Sequence, residues 1–245
     1  MSTFTAILLF LVPISPPLSI EQGDREFARI DYGRAEVIYD SMLTTSGDSA
    51  NVLWRLARVY VCMADVAPQD KKLTLYRDAE TFAVRCILAD SLKSEGHTWR
   101  AAALGNIAMF EGGKTKIKLC SMIKEELLCS LRLNPKDDIA YSILGSFYMA
   151  LGNVTWIERQ LANAFLGNLP EGGYVESESA LKKAIALSPR VIRHHFALGE
   201  LYKEQDRNSE ALEEFRLVAT LQVVLASDAR TQQFAALLVK ELTGE

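Results

Sequence analysis

Apolar side chains recur along this chain every three or four residues, which is the spacing of helices with one apolar face. No long stretch alternates between apolar and polar residues in the manner of a β-strand. From Glu21 onward the pattern predicts a succession of amphipathic helices joined by short turns. They include helices over residues 49–64, 115–133, 154–166, 174–187 and 228–242. The chain is therefore expected to be all-α.

One short phrase occurs twice in the second half of the chain: a bulky residue, then Leu-Gly, then Tyr. Its copies are Tyr141-x2-Leu144-Gly145-x2-Tyr148 and His195-x2-Leu198-Gly199-x2-Tyr202. The second copy is followed by Ala211 and Phe215 on the next predicted helix. This spacing resembles the tetratricopeptide pattern, in which such a first helix packs against an Ala and a Phe on the second. We therefore predict a right-handed α-solenoid of tetratricopeptide-like helix pairs.

Two prolines indicate the register of the pairs. Pro135 and Pro189 each end a predicted helix, and each lies nine residues before the leucine of the phrase. About four helix pairs result, followed by a capping helix at 228–242 with polar residues on one side. The helix at 154–166 is an insertion into a repeat of about 34 residues. The loop that follows it, 167–173, is either a structured turn or a mobile flap.

In this repeat class the first helix of each pair lines a concave groove, at positions offset from the packing residues. Those positions combine aromatic, basic and polar side chains, a composition suited to clamping an extended peptide or its carboxylate. The alternative is an ordinary solvated helix face. The predicted groove residues are Asn51, Trp54, Arg58, Asn106, Ser142, Ser146, Met149, Arg193, Phe196, Glu200 and Lys203.

The sequence contains no phosphate-binding loop, no Gly-x-Ser-x-Gly elbow and no His-Glu-x-x-His motif, so we predict neither an enzyme nor a cofactor or metal site. His194 and His195 are adjacent on a helix and point about 100° apart, which prevents them from sharing a metal. We expect His195 in the core and His97 in an inter-helix contact. Trp99 and Trp156 are expected to fill space between helices.

The four cysteines are too few and too far apart for a disulfide scaffold. Cys120 and Cys129 lie nine residues apart on one predicted helix, about 13 Å along its axis, which is too far for a mutual bond. Buried thiols are the preferred interpretation. A bridge between Cys62 and Cys86 in an oxidising compartment is the alternative.

Composition narrows the possible partners. Of the 245 residues 49% are hydrophobic and 24% charged, which suits one elongated helical domain. The net charge of −4 provides no basic stripe for phosphates, so nucleic acid is not an expected partner. Lys114, Lys116 and Lys118 lie two apart and spread around the helix, which favours a solvated helix start over a basic patch for an acidic partner or membrane headgroups.

Residues 1–19 differ from the rest because they lack charged side chains and combine an apolar run at 4–12 with three prolines. We interpret them as a signal peptide, which leaves 20–245 as the solenoid domain. A membrane anchor is one alternative, although the run is short for a bilayer span; a disordered end or a misassigned start is another. As a signal, the segment predicts export to a bacterial periplasm. Otherwise we expect a cytoplasmic protein, or a membrane-associated one contacting the membrane through these residues.

Residues 99–202 are similar to the regulator of microtubule dynamics family of divergent tetratricopeptide proteins. The residues that carry this resemblance cover about two-thirds of the chain: Trp54-Arg55-Leu56-Ala57-Arg58, His97-Thr98-Trp99, Glu111-Gly112, Leu131-x-Leu133-Asn134-Pro135-Lys136-Asp137, Leu144-Gly145 and Trp156-x2-Arg159. The resemblance implies an α-solenoid that binds and does not catalyse. In eukaryotic members it implies an association with microtubules or mitochondrial membranes, which we do not extend to an exported relative.

These observations predict a non-catalytic scaffold or adaptor that binds a protein or peptide of unknown identity in its groove. A structural protein that assembles into homo-oligomers through its terminal helix is the first alternative. Binding of a lipid or small molecule between the helices is the second.

Overall fold

The computed structural model describes residues 18–165 and 167–244, and these residues form twelve α-helices and no strand. The all-α prediction is confirmed. The predicted signal segment lies outside the described residues, except for Leu18 and Ser19, the latter of which caps the first helix. The helices are α1 Ile20–Ala28, α2 Tyr32–Ser46, α3 Ala50–Val66, α4 Gln69–Ala89, α5 Ser94–Glu111, α6 Gly113–Leu133, α7 Asp138–Gly152, α8 Trp156–Phe165, α9 Tyr174–Leu187, α10 Ile192–Glu204, α11 Asn208–Val218 and α12 Asp228–Thr243.

The helices pack in pairs along an α-solenoid. α1 packs with α2, α3 with α4, α5 with α6 and α10 with α11, whereas α7 pairs with α9 because α8 is inserted between them. The first helices of neighbouring pairs also contact one another, from α3 through α5 and α7 to α10. Five pairs are therefore present in the described residues, one more than the sequence predicts. The additional pair is α1 with α2.

The glycine of the repeated phrase marks the closest approach within a pair. A Cβ atom added to Gly145 would lie 2.5 Å from Cγ of Leu181 on α9, and one added to Gly199 would lie 2.6 Å from Cε1 of Phe215 on α11. Both glycines are the eighth residue of their helix. The eighth residues of α3 and α5 are Ala57 and Ala101, each with no exposed surface. Every one of these pairs therefore has a small residue where its helices meet.

The predictions for single buried residues have mixed outcomes. His195 and Trp99 are each 4% exposed, which confirms their places inside the helix array. Trp156 does not fill inter-helix space as predicted, because it is 74% exposed. It is the first residue of α8, and that short helix packs against the array through Ala162 instead.

The four cysteines all lie within the described residues and are free thiols. Cys62, Cys86 and Cys120 are buried, as predicted, and the alternative bridge between Cys62 and Cys86 is absent. Cys129 differs from the prediction because it is only half-buried. It lies near the end of α6, with its Sγ 3.6 Å from Nε2 of His97 on α5.

The loop after α8 is held by side chains, which decides in favour of the structured turn. Arg159 donates to the carbonyl oxygen of Pro170 at 3.2 Å, and the amide of Leu169 donates to Oδ1 of Asn163 at 3.0 Å. Lys124 reaches across from α6 and donates to the carbonyl oxygen of Glu171 at 2.8 Å. The loop therefore links the inserted helix to the pair formed by α5 and α6.

The terminal helix α12 packs on α10 and α11, as expected of a cap. Two of its polar side chains are used internally and do not form an outer polar face: Arg230 bonds to α3, and Gln232 donates to the carbonyl oxygens of Val218 and Leu221. Phe234 and Leu237 are more than half exposed. Within the part of the chain that the structure describes, no helix combines the length and apolar character needed to cross a membrane.

Candidate functional site

The predicted groove residues of α3 lie on one stripe of the helix, because Trp54, Arg58, Cys62 and Asp65 follow at intervals of three or four residues. At its beginning the stripe is covered by α1. The guanidinium of Arg58 lies 3.7 Å from the ring centroid of Phe27 and 5.0 Å from that of Trp54. Of the predicted groove residues at this end of α3, Arg58 therefore contacts the first helix directly, and the ring of Trp54 lies next to Arg58.

Arg58 is already paired with an acidic group. Its Nη2 lies 3.1 Å from Oδ1 of Asp24, which also accepts hydrogen bonds from Arg55 and, at 2.7 Å, from Tyr39. Burial alone would raise the pKa of Asp24, but the hydrogen bonds from Arg55 and Tyr39 hold it below its ordinary value. A carboxylate arriving from a partner would thus have to compete with Asp24 for Arg58.

At the other end of the stripe, Asp65 is contacted by side chains from three other helices. Tyr76 on α4 donates to its Oδ1 at 3.0 Å, and Arg193 on α10 has Nη2 3.6 Å from its Oδ2. Arg230 on α12 donates to its main-chain carbonyl oxygen at 2.8 Å. The second helix pair thereby meets the last pair and the capping helix, so the array closes across its concave side.

The segment that joins α11 to α12, residues 219–227, takes part in this closure. The amide of Ala226 donates to the hydroxyl of Tyr32 at 2.9 Å, and Leu225 and Ala226 pack against the cluster that contains Phe27 and Tyr32. Burial raises the pKa of Tyr32 to about 12. A non-helical stretch of the chain is therefore bound to α2 by an apolar contact and a main-chain hydrogen bond.

Asp228 fixes the shape of this segment. Its Oδ2 accepts from the amides of Val224 and Leu225, at 2.9 and 2.8 Å, and the residue is only 4% exposed. These bonds satisfy two main-chain donors in the turn just before α12. The segment is consequently presented to α2 in one defined conformation.

The other predicted groove residues lie in varied surroundings. Met149 and Phe196 pack against the cluster around α10 and α11, and Lys203 pairs with Glu241 on α12 at 2.9 Å. Asn106 donates to the carbonyl oxygen of Ala102, and Ser142 is buried with no partner for its Oγ among the described residues. Asn51 and Ser146 are exposed.

Glu200 is a half-buried carboxylic acid on α10. Burial, with a smaller contribution from the nearby Glu204, raises its pKa to about 7. The group therefore changes charge near neutral pH, on the helix whose first residues reach Asp65 on α3.

Two surface clefts were not anticipated from the sequence. One, of about 820 Å³, lies between α1 and α2, and it is lined by several arginines together with apolar and acidic residues. The arginines are Arg25, Arg29 and Arg34. Their occurrence within one short stretch of the sequence could have indicated a cleft lined by basic side chains. The other lies beside the 219–227 segment and is lined by Ser188, Pro189, Arg190, Val191, Gln222 and Val224. Among the residues that the structure describes, no three His, Cys, Asp or Glu side chains are grouped so that they could hold a metal ion.

The fold and this surface define a helical repeat scaffold of the tetratricopeptide type. A thermophilic tetratricopeptide repeat protein of Thermus thermophilus superimposes with a TM-score of 0.66 over 91% of this chain and 97% of its own, at 20% sequence identity. That similarity establishes the fold.

The family described as regulator of microtubule dynamics protein 1-3 matches residues 19–243, so the chain belongs to this family. It is 26% identical to human regulator of microtubule dynamics protein 2, over 76% of this chain and 46% of that protein. It is 28% identical to the mouse protein 1, over 78% and 65%, and 29% identical to the Xenopus laevis protein 3, over 74% and 40%. The chain therefore spans only about half the length of these curated relatives.

The predicted location in a bacterial periplasm is wrong. The named relatives come from human, mouse and frog, and a periplasm is a bacterial compartment. The apolar run at 4–12 suggested export, but a run of this kind is not specific to secretion signals.

Proposed function

We propose that this protein is a non-catalytic scaffold that binds an extended apolar segment of a protein partner on the face formed by α2, α3 and α10. One observation carries the proposal: the chain's own residues 219–227 already contact part of that face through apolar side chains and a main-chain hydrogen bond.

The contacts of this segment resemble a general mode of peptide recognition. Main-chain hydrogen bonds supply affinity for an extended chain, and apolar side chains supply selectivity. Here Tyr32 accepts from the amide of Ala226, and Leu225 enters the apolar cluster beside it. A partner segment with an apolar residue in the place of Leu225 would make the same contacts.

The ion pairs around the stripe add a second selection. Arg58 and Arg193 are held by Asp24 and Asp65, so acidic partner groups compete with residues of the chain itself. The internal segment competes in the same way, so the apparent affinity for a partner equals the intrinsic affinity multiplied by the fraction of molecules in which the face is free. A partner is expected to bind more tightly when the internal segment is weakened.

The test is fluorescence anisotropy with a labelled synthetic peptide of residues 219–230. Leu225→Ser and Arg230→Ala weaken the internal segment without altering the face. Loss of one hydrogen bond, about 0.5–1.5 kcal/mol, should strengthen peptide binding by roughly two- to tenfold for Arg230→Ala. Adding Tyr32→Phe to either variant should weaken binding again, because Tyr32 belongs to the face.

A scrambled peptide of the same composition is the control for non-specific binding. If the peptide binds neither the wild type nor the weakened variants, the proposed face is not a peptide site. Equal binding of the two peptides leads to the same conclusion.

Self-assembly is a second candidate function, favoured by the exposed Phe234 and Leu237 on α12. Exposed apolar residues at the end of a repeat array are available to a second copy. Light scattering after size exclusion should show a concentration-dependent dimer that Leu237→Glu abolishes. A monomer at all concentrations would exclude this candidate.

The relatives are named as regulators of microtubule dynamics, which makes polymerised tubulin a partner to test directly. Co-sedimentation with microtubules should deplete the wild type from the supernatant if the same partner applies. Tyr32→Phe in the Leu225→Ser background should then reduce the pelleted fraction, because it alters the proposed face.

A further inference from the structure

Two histidines in equivalent positions make the same three-way contact. His97 is the fourth residue of α5 and His195 the fourth residue of α10. Nδ1 of His97 lies 2.6 Å from Oε2 of Glu126, and Nδ1 of His195 lies 2.7 Å from Oε2 of Glu214. Each glutamate is on the second helix of the same pair. The histidine therefore links the two helices in both units.

The second ring nitrogen also faces an oxygen acceptor. Nε2 of His97 lies 3.2 Å from the carbonyl oxygen of Ser91, and Nε2 of His195 lies 2.9 Å from that of Pro189. Only a ring with a proton on both nitrogens can donate to both acceptors. The hydrogen bond with Glu126 accordingly raises the pKa of His97 above its ordinary value. We conclude that this contact favours a positively charged imidazolium.

The two units differ at one neighbouring position. Three residues after Glu126 stands Cys129, whose Sγ is 3.6 Å from Nε2 of His97, whereas three residues after Glu214 stands Leu217. Arg100 adds a second positive group, with Nη1 2.5 Å from Oε1 of Glu126. The α5–α6 pair therefore combines a thiol, an imidazolium and an orienting carboxylate.

Cys129 is also the thiol with the best access to solvent. It is half-buried, whereas the other three cysteines are buried. Burial raises the pKa of Cys62 to about 12 and that of Cys86 to about 11, and it raises the pKa of Cys120 as well. Those three thiols are buried, and only Cys129 contacts an imidazole, so the other three provide internal references.

We propose that Cys129 is an oxidant-sensitive site whose thiolate reacts with hydroperoxides, with His97 as the proton donor and Glu126 as the residue that positions it. The Cys129 sulfur attacks one peroxide oxygen, an S–O bond forms and the O–O bond breaks. The sulfur loses two electrons to the peroxide and becomes a sulfenic acid. The departing oxygen takes the Nε2 proton of His97 and leaves as water or an alcohol, and the imidazole becomes neutral.

The experiment uses hydrogen peroxide on the full chain, with dimedone to trap sulfenic acid and peptide mass spectrometry to quantify each cysteine. In the folded chain Cys129 should be labelled about tenfold faster than in the urea-unfolded chain. Cys62, Cys86 and Cys120 should instead be labelled more slowly in the folded chain than in the unfolded one. This comparison needs no variant. Labelling of Cys129 that is no faster in the folded chain would overturn the proposal.

Variants then separate activation from simple exposure. Glu126→Gln and His97→Asn should each bring the labelling rate of Cys129 down to that of the unfolded chain. Glu214→Gln removes the equivalent contact with His195, which has no cysteine beside it, and should leave the labelling rate of Cys129 unchanged. If Glu214→Gln slows the reaction as much as Glu126→Gln does, general loosening explains the effect and the proposal fails. If the first two variants do not fold, the wild-type comparison decides.

Discussion

The close approach at Gly145 provides a prediction with an internal control. In Gly145→Ala the new methyl would lie 2.5 Å from Cγ of Leu181 and 3.3 Å from its main-chain nitrogen, whereas ordinary contacts begin at 3.4 Å. Leu181 has no exposed surface, and Ser177 beside it donates to the carbonyl oxygen of Gly145 at 2.8 Å. The buried Leu181 side chain has no free space to move into, so the added methyl can fit only if α7 and α9 move apart. That movement would strain the hydrogen bond between Ser177 and Gly145.

The control is Gly105→Ala on α5. Gly105 also follows a leucine, but it is outside the packing register, and nothing lies within 4 Å of an added Cβ. Both changes gain about 1 kcal/mol of helix propensity. Only Gly145→Ala incurs the cost of overpacking, about 1–3 kcal/mol. The variant at Gly145 should therefore be less stable than the variant at Gly105 by that amount.

Urea unfolding followed by far-ultraviolet circular dichroism measures the difference directly, with the slope of the transition checked for equality. In thermal unfolding the melting temperatures should differ by about 2–12 °C for a protein of this size. Two variants of equal stability would refute the reasoning, because the glycine would then not mark a close approach.

Further predictions concern pH, burial and closure. The pKa values of His97, His195 and Glu200 are raised in the folded protein, so their contribution to stability is complete at low pH and is lost as pH rises through the folded values. The urea concentration at the unfolding midpoint should decrease as the pH is raised from 6 to 8, and it should decrease less in the double variant His195→Gln, Glu200→Gln. The same decrease in the variant as in the wild type would show that these two groups do not cause the pH dependence. Trp99→Ala should cost about 3–5 kcal/mol and Trp156→Ala about 0.5 kcal/mol or less in the same unfolding assay, because only Trp99 is buried; equal losses would be inconsistent with their exposures. Arg230→Ala should cost about 0.5–1.5 kcal/mol and speed proteolysis within 219–227, whereas Ala at the exposed Arg216 should do neither. Unchanged cleavage in Arg230→Ala would show that the bond to Asp65 does not hold the segment.

Local spacing was sufficient for most of the fold. The boundaries of α9 coincide with the predicted ones, and those of α3, α6, α8 and α12 differ by no more than two residues at either end. The phrase also identifies Gly145 and Gly199 as packing positions. These features follow from helix geometry, because residues three and four apart share a face whatever the rest of the chain does.

The exposed Trp156 shows where this reasoning failed. A large aromatic residue in a predicted amphipathic helix is expected to face the core. α8 is short, however, and it lies outside the regular pairs, where Ala162 is the residue that reaches the array. An inserted helix has no repeat partner, so the register of the repeat gives no information about its buried face.

The sequence by itself therefore determined the all-α fold, four of the five helix pairs and the small residues at the centre of those four pairs. Only the tertiary structure decided that the array closes, with Arg193 and Arg230 meeting Asp65 and with Ala226 meeting Tyr32. It also decided that His97 and Glu126 lie beside Cys129 and not beside another thiol. The reason is geometric: each helix pair is rotated slightly against its neighbour, and those rotations accumulate along the solenoid. No local spacing records their sum, so contacts between the first and last pairs appear only when the whole array is built.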